Sequence, residues 1–169
     1  MKIEEFYSRF FNPGTICTDS RNLQPGDVFV ALKGDNFDGN AFATQAITRG
    51  ARLVVVDDPS LPSKAPFIKV PDSLKFLQEL STYHRLAMKS HIFALTGTNG
   101  KTTTKELLHA ALREKFRVQA TRGNLNNHIG VPLTLLGLSP DTELCIVEMG
   151  ANHRGEIEAL CNIALPNSG

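Results

Sequence analysis

The chain has 169 residues, which is enough for one medium-sized domain or two small ones. It is 41% hydrophobic and 21% charged with a net charge of +1, so the composition is that of a globular protein and gives no basic surface for nucleic acid or an anionic membrane. No apolar run approaches the ~20 residues that span a bilayer, and the acidic N-terminal segment lacks the apolar core of a signal peptide.

Helical and strand patterns alternate along the first half of the chain. A short amphipathic helix ends at Asn12-Pro13-Gly14, and Lys33–Asn40 is predicted as a loop. Residues 28–32 and 53–56 are predicted as buried strands and residues 67–70 as a short strand. Two further helices are predicted, one that contains residues 42–47 with Gly50 as its C-terminal cap and one over residues 73–87.

A second alternating series follows a predicted linker at residues 88–91, which separates the predicted domains 1–87 and 88–169. It consists of strand 92–95, helix 102–115, strand 117–121, helix 129–136, strand 144–149 and helix 155–164. This order predicts an α/β fold with a largely parallel sheet in each half. Because nucleotide-binding sheets of this kind usually have about five or six strands, the second half is expected to be a truncated domain or the front of a longer protein.

A phosphate-binding loop is predicted between the first strand and the first helix of the second half. Gly97 and Gly100 allow the backbone to approach a polyphosphate, and Lys101 can reach its outer phosphates. The Thr102 hydroxyl can bind Mg²⁺. The strict motif requires glycine where this chain has Leu95, so an ordinary glycine turn before a helix is the alternative. The strand–loop–helix setting favours binding of ATP or a close relative.

Glu148 ends the apolar strand 144–149, at the sheet edge where ligands bind in open α/β folds. Beside a phosphate loop, a carboxylate at this edge is a candidate Mg²⁺ ligand, direct or through water. The alternatives are a solvated acid at a strand end and a cap of the following helix.

Other polar loop residues are weaker candidates. The amides of Asn124, Asn126 and Asn127 can bind phosphate or sugar oxygens, or they can satisfy the backbone of a turn, and spacing alone favours the turn. Ser20-Arg21 and Lys33 can hold a phosphate or remain solvated.

The cysteines, Cys17, Cys145 and Cys161, are odd in number and widely spaced. They indicate unpaired, inert thiols in a reducing cytoplasm and no metal site.

Several segments together resemble the Mur ligase family. The loop Thr96–Thr103 is similar to the nucleotide loop of that family, including the departure from the strict motif at Leu95. Residues 18–21, 25–34 and 37–42 resemble the N-terminal UDP-sugar domain of the family, and residues 123–134 and 148–157 resemble the branch that adds D-alanyl-D-alanine.

The resemblance implies a small N-terminal α/β UDP-sugar-binding domain followed by a truncated P-loop NTPase-like parallel-sheet domain. It also implies an ATP- and Mg²⁺-dependent ligase of peptidoglycan synthesis, which joins D-alanyl-D-alanine to UDP-N-acetylmuramoyl-tripeptide through an acyl phosphate. The enzyme would be a cytoplasmic monomer without a nucleic-acid or membrane partner.

The resemblance also implies roles for individual residues. Lys101 would serve the β- and γ-phosphates, and Thr102 and Glu148 would hold Mg²⁺. The ATP cradle would comprise Gly97, Thr98, Asn99, Gly100, Lys101, Thr102 and Thr103. The UDP portion would contact Ser20, Arg21 and Lys33, and the muramoyl-peptide side would contact Asn126 and Asn127.

The chain departs from the family pattern at Asn40, His128 and Arg154, where histidine, an acid and proline are frequent. The family's carbamylated lysine, adenine-binding residues and C-terminal domain would lie beyond residue 169, so the 169 residues alone are expected to be inactive. A sibling amide ligase of the Mur or folylpolyglutamate type, or a non-catalytic nucleotide- or UDP-sugar-binding module, is the alternative.

Overall fold

A computed structural model describes residues 1–34 and 36–169 of the chain. The described residues form two compact units, Met1–Leu77 and Gln78–Gly169. The domain limits predicted from sequence, 1–87 and 88–169, stay a prediction. Asp35 falls within the loop predicted for Lys33–Asn40 and lies outside the described residues.

The helices and strands alternate along most of the chain. The helices are α1 (Ile3–Phe10), a 3₁₀ turn (Gly39–Phe42), α2 (Ala43–Thr48), α3 (Ser73–Ala87), α4 (Lys101–Leu112), α5 (Gly130–Leu136) and α6 (Glu156–Ala164). The strands are β1 (Ile16–Cys17), β2 (Val28–Val30), β3 (Lys33–Gly34), β4 (Phe37–Asp38), β5 (Leu53–Val56), β6 (Phe67–Lys69), β7 (His91–Leu95), β8 (Val118–Ala120) and β9 (Leu144–Glu148). Within the described ranges, no helix has the length and apolar character needed to cross a membrane.

A four-stranded parallel sheet, in the order β1-β2-β5-β6, forms the first unit. Strands β2 and β5 are buried along their whole length, as expected for central strands of a parallel sheet that is covered on both faces. One apolar cluster of this unit contains Leu23, Phe29, Ala31, Ala43, Ala46, Ala51, Val54 and Val56.

A three-stranded parallel sheet forms the described part of the second unit, in the order β7-β9-β8. Strand β9 lies in the middle, and Ser168 forms an isolated parallel bridge with Phe93 on the far side of β7. The core of this unit contains Ile92, Val131, Leu135, Leu138, Cys145, Val147, Met149, Leu160 and Ala164.

The predicted α/β class with parallel sheets is confirmed, while several element limits were wrong. The predicted loop Lys33–Asn40 contains the antiparallel β3–β4 hairpin, and the predicted helix 102–115 ends at Leu112. Strand β1 was not predicted because its two residues are too few to show a period.

Burial disfavours ionisation of one cysteine. It raises the pKa of the Cys145 thiol to about 12, and the prediction that this thiol is buried is confirmed. Cys17 and Cys161 are half-buried, and all three thiols are unpaired.

A buried histidine ties α3 to the segment after α5. The Nε2–H of His84 donates to the backbone oxygen of Leu138 at 2.9 Å, and the His84 side chain is fully buried. Burial lowers the pKa of His84 below its ordinary value of 6.5, although the hydrogen bond to Leu138 partly opposes that shift.

The second unit is therefore expected to lose stability as the pH falls through about 6.5, because the unfolded chain then takes up a proton that the folded chain resists. The contribution of His84 to the free energy of unfolding is fully present above that pH and is lost as the pH falls towards the lower pKa of the folded state. Urea unfolding at pH 8 and pH 5.5 measures it.

His84→Gln is the matched variant, since its amide can still donate to Leu138. It should cost roughly 1–2 kcal/mol at pH 8 and show a smaller fall in stability between the two pH values than the parent. An equal fall in both proteins would contradict the assignment.

Candidate functional site

The predicted phosphate loop connects β7 to α4. Gly100 immediately precedes α4 with φ +76°, in the left-handed region that favours glycine. The loop residues Thr98 and Asn99 are exposed, as is Thr103 in the first helical turn. The Lys101 ammonium donates to the Gly97 carbonyl at 2.6 Å, so this lysine lies over the loop.

The sheet places Glu148 beside the start of this loop. In the parallel register, Glu148 at the end of β9 pairs with Leu95 at the end of β7. The Glu148 backbone N–H donates to the Thr121 hydroxyl at 2.9 Å, and Glu148 is only 2% exposed. The acid is therefore a buried group at the carboxyl edge of the sheet, and the alternative of a solvated acid at a strand end does not describe it.

Three side chains surround the Glu148 carboxylate. The Thr102 hydroxyl donates to Oε2 at 3.1 Å, and the Asn126 amide donates to Oε1 at 2.9 Å. The Lys105 ammonium lies 3.8 Å from Oε2. The first turn of α4, the loop of residues 123–127 (the asparagine loop) and the end of β9 thus meet at one carboxylate.

The oxygens of Thr102 and Glu148 suit Mg²⁺. A hydroxyl and a carboxylate oxygen lie 3.1 Å apart at the start of the helix that follows the phosphate loop. Over residues 1–34 and 36–169, no three His, Cys, Asp or Glu side chains are grouped as a metal site. Mg²⁺ tolerates few protein ligands because it keeps waters and binds phosphate oxygens.

The two predicted asparagines have different partners. The Asn127 side-chain oxygen accepts from the backbone N–H groups of Ile129 and Gly130, at 3.1 and 2.9 Å, so it holds the turn that leads into α5. Both the side chain and the backbone of Asn126 are hydrogen-bonded. Its amide donates to Glu148, and its backbone oxygen accepts from the Gly150 N–H at 2.8 Å. The Asn127 oxygen thus satisfies the backbone of a turn, which was the alternative to ligand binding. Asn126 instead contacts the Glu148 carboxylate.

A cavity of about 640 Å³ adjoins this site within the second unit. It brings together three of the predicted residues, Lys101, Asn126 and Asn127. The other lining residues are Gln78, His128, Gly150, Ala151, Asn152, Glu156, Ala159, Leu160, Asn162 and Ile163. Its many amide groups and the lysine suit a ligand that carries carboxylate, phosphate and amide groups.

Glu156 is the acid in this wall and is already hydrogen-bonded. Its Oε2 accepts from the backbone N–H groups of Asn152 and His153 at 2.6 and 3.1 Å. These bonds hold the pKa of Glu156 below its ordinary value. Glu156, the first residue of α6, therefore holds the loop that precedes the helix.

A separate polar cluster surrounds Lys33 in the first unit. The Lys33 ammonium lies 3.3 Å from Asp57 and 3.9 Å from Asp38, and the Asn40 amide donates to both acids. Burial opposes ionisation of Asp57, yet hydrogen bonds from Asn40, the Ser73 backbone and Lys33 together hold the pKa of Asp57 below its ordinary value. The two acids thus hold the Lys33 ammonium in place, although about half of the Lys33 side chain is exposed.

Ser20 and Arg21 have other partners. The Arg21 guanidinium pairs with Asp19 at 2.8 Å and holds the pKa of Asp19 at about 2. The Ser20 backbone oxygen accepts from Arg49. In the described part of the chain, no hydrogen bond or ion pair joins Ser20 or Arg21 to Lys33.

Sequence reasoning missed Lys105, Thr121 and Asp57. Lys105 follows Thr102 by three residues, so helix geometry puts both on one face, but this spacing alone does not reveal that Lys105 is buried. Thr121 is the last residue of the predicted strand 117–121, and Asp57 follows the predicted strand 53–56, so both lie at strand ends where ligand sites form.

Gly150 is expected to be essential to the position of Asn126. A Cβ at residue 150 would lie 3.1–3.2 Å from the Asn126 amide, which would have to shift by a few tenths of an ångström. Gly150→Ala should therefore cost about 1 kcal/mol of unfolding free energy, because the hydrogen bond from Asn126 to a buried carboxylate oxygen is strained. Urea unfolding measures the change.

Two further variants test that cause. Gly137→Ala places a Cβ 3.2 Å from the Gln119 amide, far from Glu148, and should cost less. In an Asn126→Ala background, Gly150→Ala should add almost nothing, since the crowded amide is gone. Full additivity of Asn126→Ala and Gly150→Ala would contradict this explanation.

Two family models match the chain. A model of the Mur ligase family, catalytic domain, matches residues 14–85, and a model of the Mur ligase middle domain matches residues 95–169. The chain is 41% identical over 155 residues to the UDP-N-acetylmuramoyl-tripeptide–D-alanyl-D-alanine ligase of Bacillus subtilis, covering 90% of this chain and 34% of the relative. It is 47% identical over 156 residues to the ligase of the same name from Synechocystis, covering 91% and 34%.

Solved structures give the same result. A MurF crystal structure from Acinetobacter baumannii superposes with a TM-score of 0.82 at 41% identity, covering 89% of this chain and 33% of that one. MurF from Thermotoga maritima, in complex with ADP, superposes with a TM-score of 0.79 at 34% identity, covering 89% and 35%. The chain thus spans about a third of the length of the relatives it matches. With its two units matched in order by two domains of one family, this chain belongs to the Mur ligase family.

Proposed function

We propose that the whole protein is a ligase that uses ATP to join D-alanyl-D-alanine to UDP-N-acetylmuramoyl-tripeptide in peptidoglycan synthesis. The observation that carries the proposal is the contact of Thr102, directly after the predicted phosphate loop, with the buried carboxylate of Glu148. The similarity to ligases named for these substrates supports it. The unpaired cysteines are in keeping with a reducing cytoplasm as its compartment.

The chemistry requires activation of a carboxylate. A carboxylate oxygen of the tripeptide attacks the γ-phosphorus of ATP, the bond to the β-phosphate oxygen breaks, and ADP leaves. The dipeptide amine then attacks the acyl carbon of the acyl phosphate. The tetrahedral adduct expels phosphate and the amine loses a proton, so the amide forms with one ADP and one phosphate.

The second unit would neutralise the charge of the transferred phosphoryl group. Lys101 would leave the Gly97 carbonyl to bind the β- and γ-phosphates, and the N–H groups from Gly97 to Thr103 would cradle them. Thr102 and Glu148 would hold Mg²⁺, which supplies electrostatic stabilisation of phosphate oxygens.

The remaining predicted residues would bind the UDP-linked substrate. Asn126 and Asn127 line the cavity next to Lys101, where the muramoyl-peptide side would lie. Ser20, Arg21 and Lys33 would contact the UDP portion in the predicted domain 1–87, and ATP would bind in the predicted domain 88–169.

The decisive experiment measures phosphate release by the whole protein with ATP, the UDP-linked tripeptide and D-alanyl-D-alanine. Release that requires all three supports the proposal. A requirement for another amine would indicate a sibling ligase, and ligand binding without turnover would indicate a non-catalytic module. The 169 residues alone are expected to show no turnover.

Lys101→Ala should reduce ligation by the whole protein by roughly 10²–10³-fold, because the developing phosphoryl charge loses a donor. Binding of UDP, measured by calorimetry, should remain nearly intact, because the UDP portion is assigned to the predicted domain 1–87 and the phosphates of ATP to the predicted domain 88–169.

Lys115→Ala is the control, since this exposed lysine lies after the end of α4. Loss of both ligands in Lys101→Ala would argue against separate binding units.

Lys33→Met should weaken binding of UDP by roughly tenfold, as expected for loss of one charge-assisted contact, with ADP affinity unchanged. Lys69→Met is a matched control in the same unit, because Lys69 donates to the Pro59 backbone oxygen and is not a predicted site residue. Calorimetry with UDP measures both variants. Equal effects of the two substitutions would contradict a specific role for Lys33.

A further inference from the structure

The one buried side chain of α4 among the described residues belongs to a lysine. Lys105 is 1% exposed, whereas Leu107 on the same helix is 67% exposed. A lysine is almost never fully buried unless it is paired. Lys105 therefore has a function that outweighs the cost of removing its ammonium from water.

The ammonium of Lys105 lies between two acids. It is 3.1 Å from Oε1 of Glu106, whose side chain is 63% exposed, and 3.8 Å from Oε2 of Glu148, which is 2% exposed. Glu106 can be solvated without help, but Glu148 cannot. The buried carboxylate is thus the partner that requires a nearby positive charge.

The distance of 3.8 Å has a chemical consequence. It is too long for a hydrogen bond, which ends at about 3.2 Å for N–H···O. Lys105 compensates the charge of Glu148 through space, while the hydrogen bonds come from the neutral groups of Thr102 and Asn126. Oε2 accepts one hydrogen bond, from Thr102, and therefore keeps lone-pair capacity for a further ligand.

We propose that Lys105 is a positioning residue, a resident counter-charge that holds the Glu148 carboxylate against Thr102 in the metal-free protein and thereby limits how strongly Mg²⁺ is bound there. The inference rests on the proposed Mg²⁺ site at Thr102 and Glu148. A metal ion that binds to Glu148 lies near the fixed positive charge of Lys105, so the affinity of the site for Mg²⁺ is lowered. In the metal-free protein, the same charge keeps the carboxylate in place.

The first test is a double-mutant cycle in the metal-free whole protein. Lys105→Met should be strongly destabilising alone, because Glu148 then lacks a counter-charge, and much less so together with Glu148→Gln. Urea or thermal unfolding in EDTA measures the coupling. If the single variant does not fold and the double variant does, the coupling is supported. Additive losses, or failure of both to fold, would show an independent packing role and overturn the proposal.

The second test measures the ratio of ADP affinities with and without Mg²⁺ by calorimetry. In Lys105→Met this ratio should rise on the order of tenfold, as removal of one partly screened like charge would give. Glu106→Gln should leave the ratio unchanged, because the Glu106 side chain is 63% exposed and its charge is screened by water. An unchanged ratio in folded Lys105→Met would overturn the proposal.

The two tests separate this inference from the proposed function. If Mg²⁺ does not affect ADP binding by the parent protein, the proposed metal site fails, whatever the unfolding cycle shows. If Mg²⁺ strengthens ADP binding in the parent and Lys105→Met responds identically, only the role of Lys105 fails.

Discussion

A buried carboxylate at the end of a central strand is the constraint around which the second unit is arranged. Glu148 is 2% exposed, and an unpaired charge in such a place would cost several kcal/mol. Its oxygens are satisfied by Thr102 and Asn126, and its backbone N–H by Thr121. Since these residues come from three separate segments, the carboxylate joins α4 to the loop that carries Asn126, and the Glu148 backbone joins both to Thr121 after β8.

The order of strands makes this convergence possible. Because β9 lies between β7 and β8, its last residue has a strand end on each side. Pairing of Leu95 with Glu148 puts the start of the phosphate loop directly beside the acid. Gly150 then allows Asn126 to approach closely, because no side chain occupies the space against its amide. The strand order thus determines the position of Glu148, and the absence of a Cβ at Gly150 allows the Asn126 amide to reach it.

Much of this arrangement could be predicted from short-range patterns. Apolar runs such as 53–56 and 144–148 are strands because a parallel sheet buries them on both faces, and the phosphate loop has a sequence motif. The burial of Lys105 could not be predicted, because amphipathic periodicity would place Leu107 inside and a lysine outside. Tertiary pairing with Glu148 reverses that preference, and pairings between residues 43 positions apart leave no mark in local sequence. The link from Lys33 to Asp57 was missed for the same reason.

Lys101 and Lys105 lie about one helical turn apart and are suited to different tasks. Lys101 is only partly buried and donates to a loop carbonyl, a neutral partner that a phosphate can replace at little cost. Lys105 is enclosed and faces a carboxylate that has no other cationic neighbour among the described ion pairs. In the proposed function, a lysine that follows a phosphate during transfer needs a mobile stem, whereas a lysine that holds a proposed metal ligand needs an immobile one. Burial, rather than residue type, therefore separates the two proposed roles.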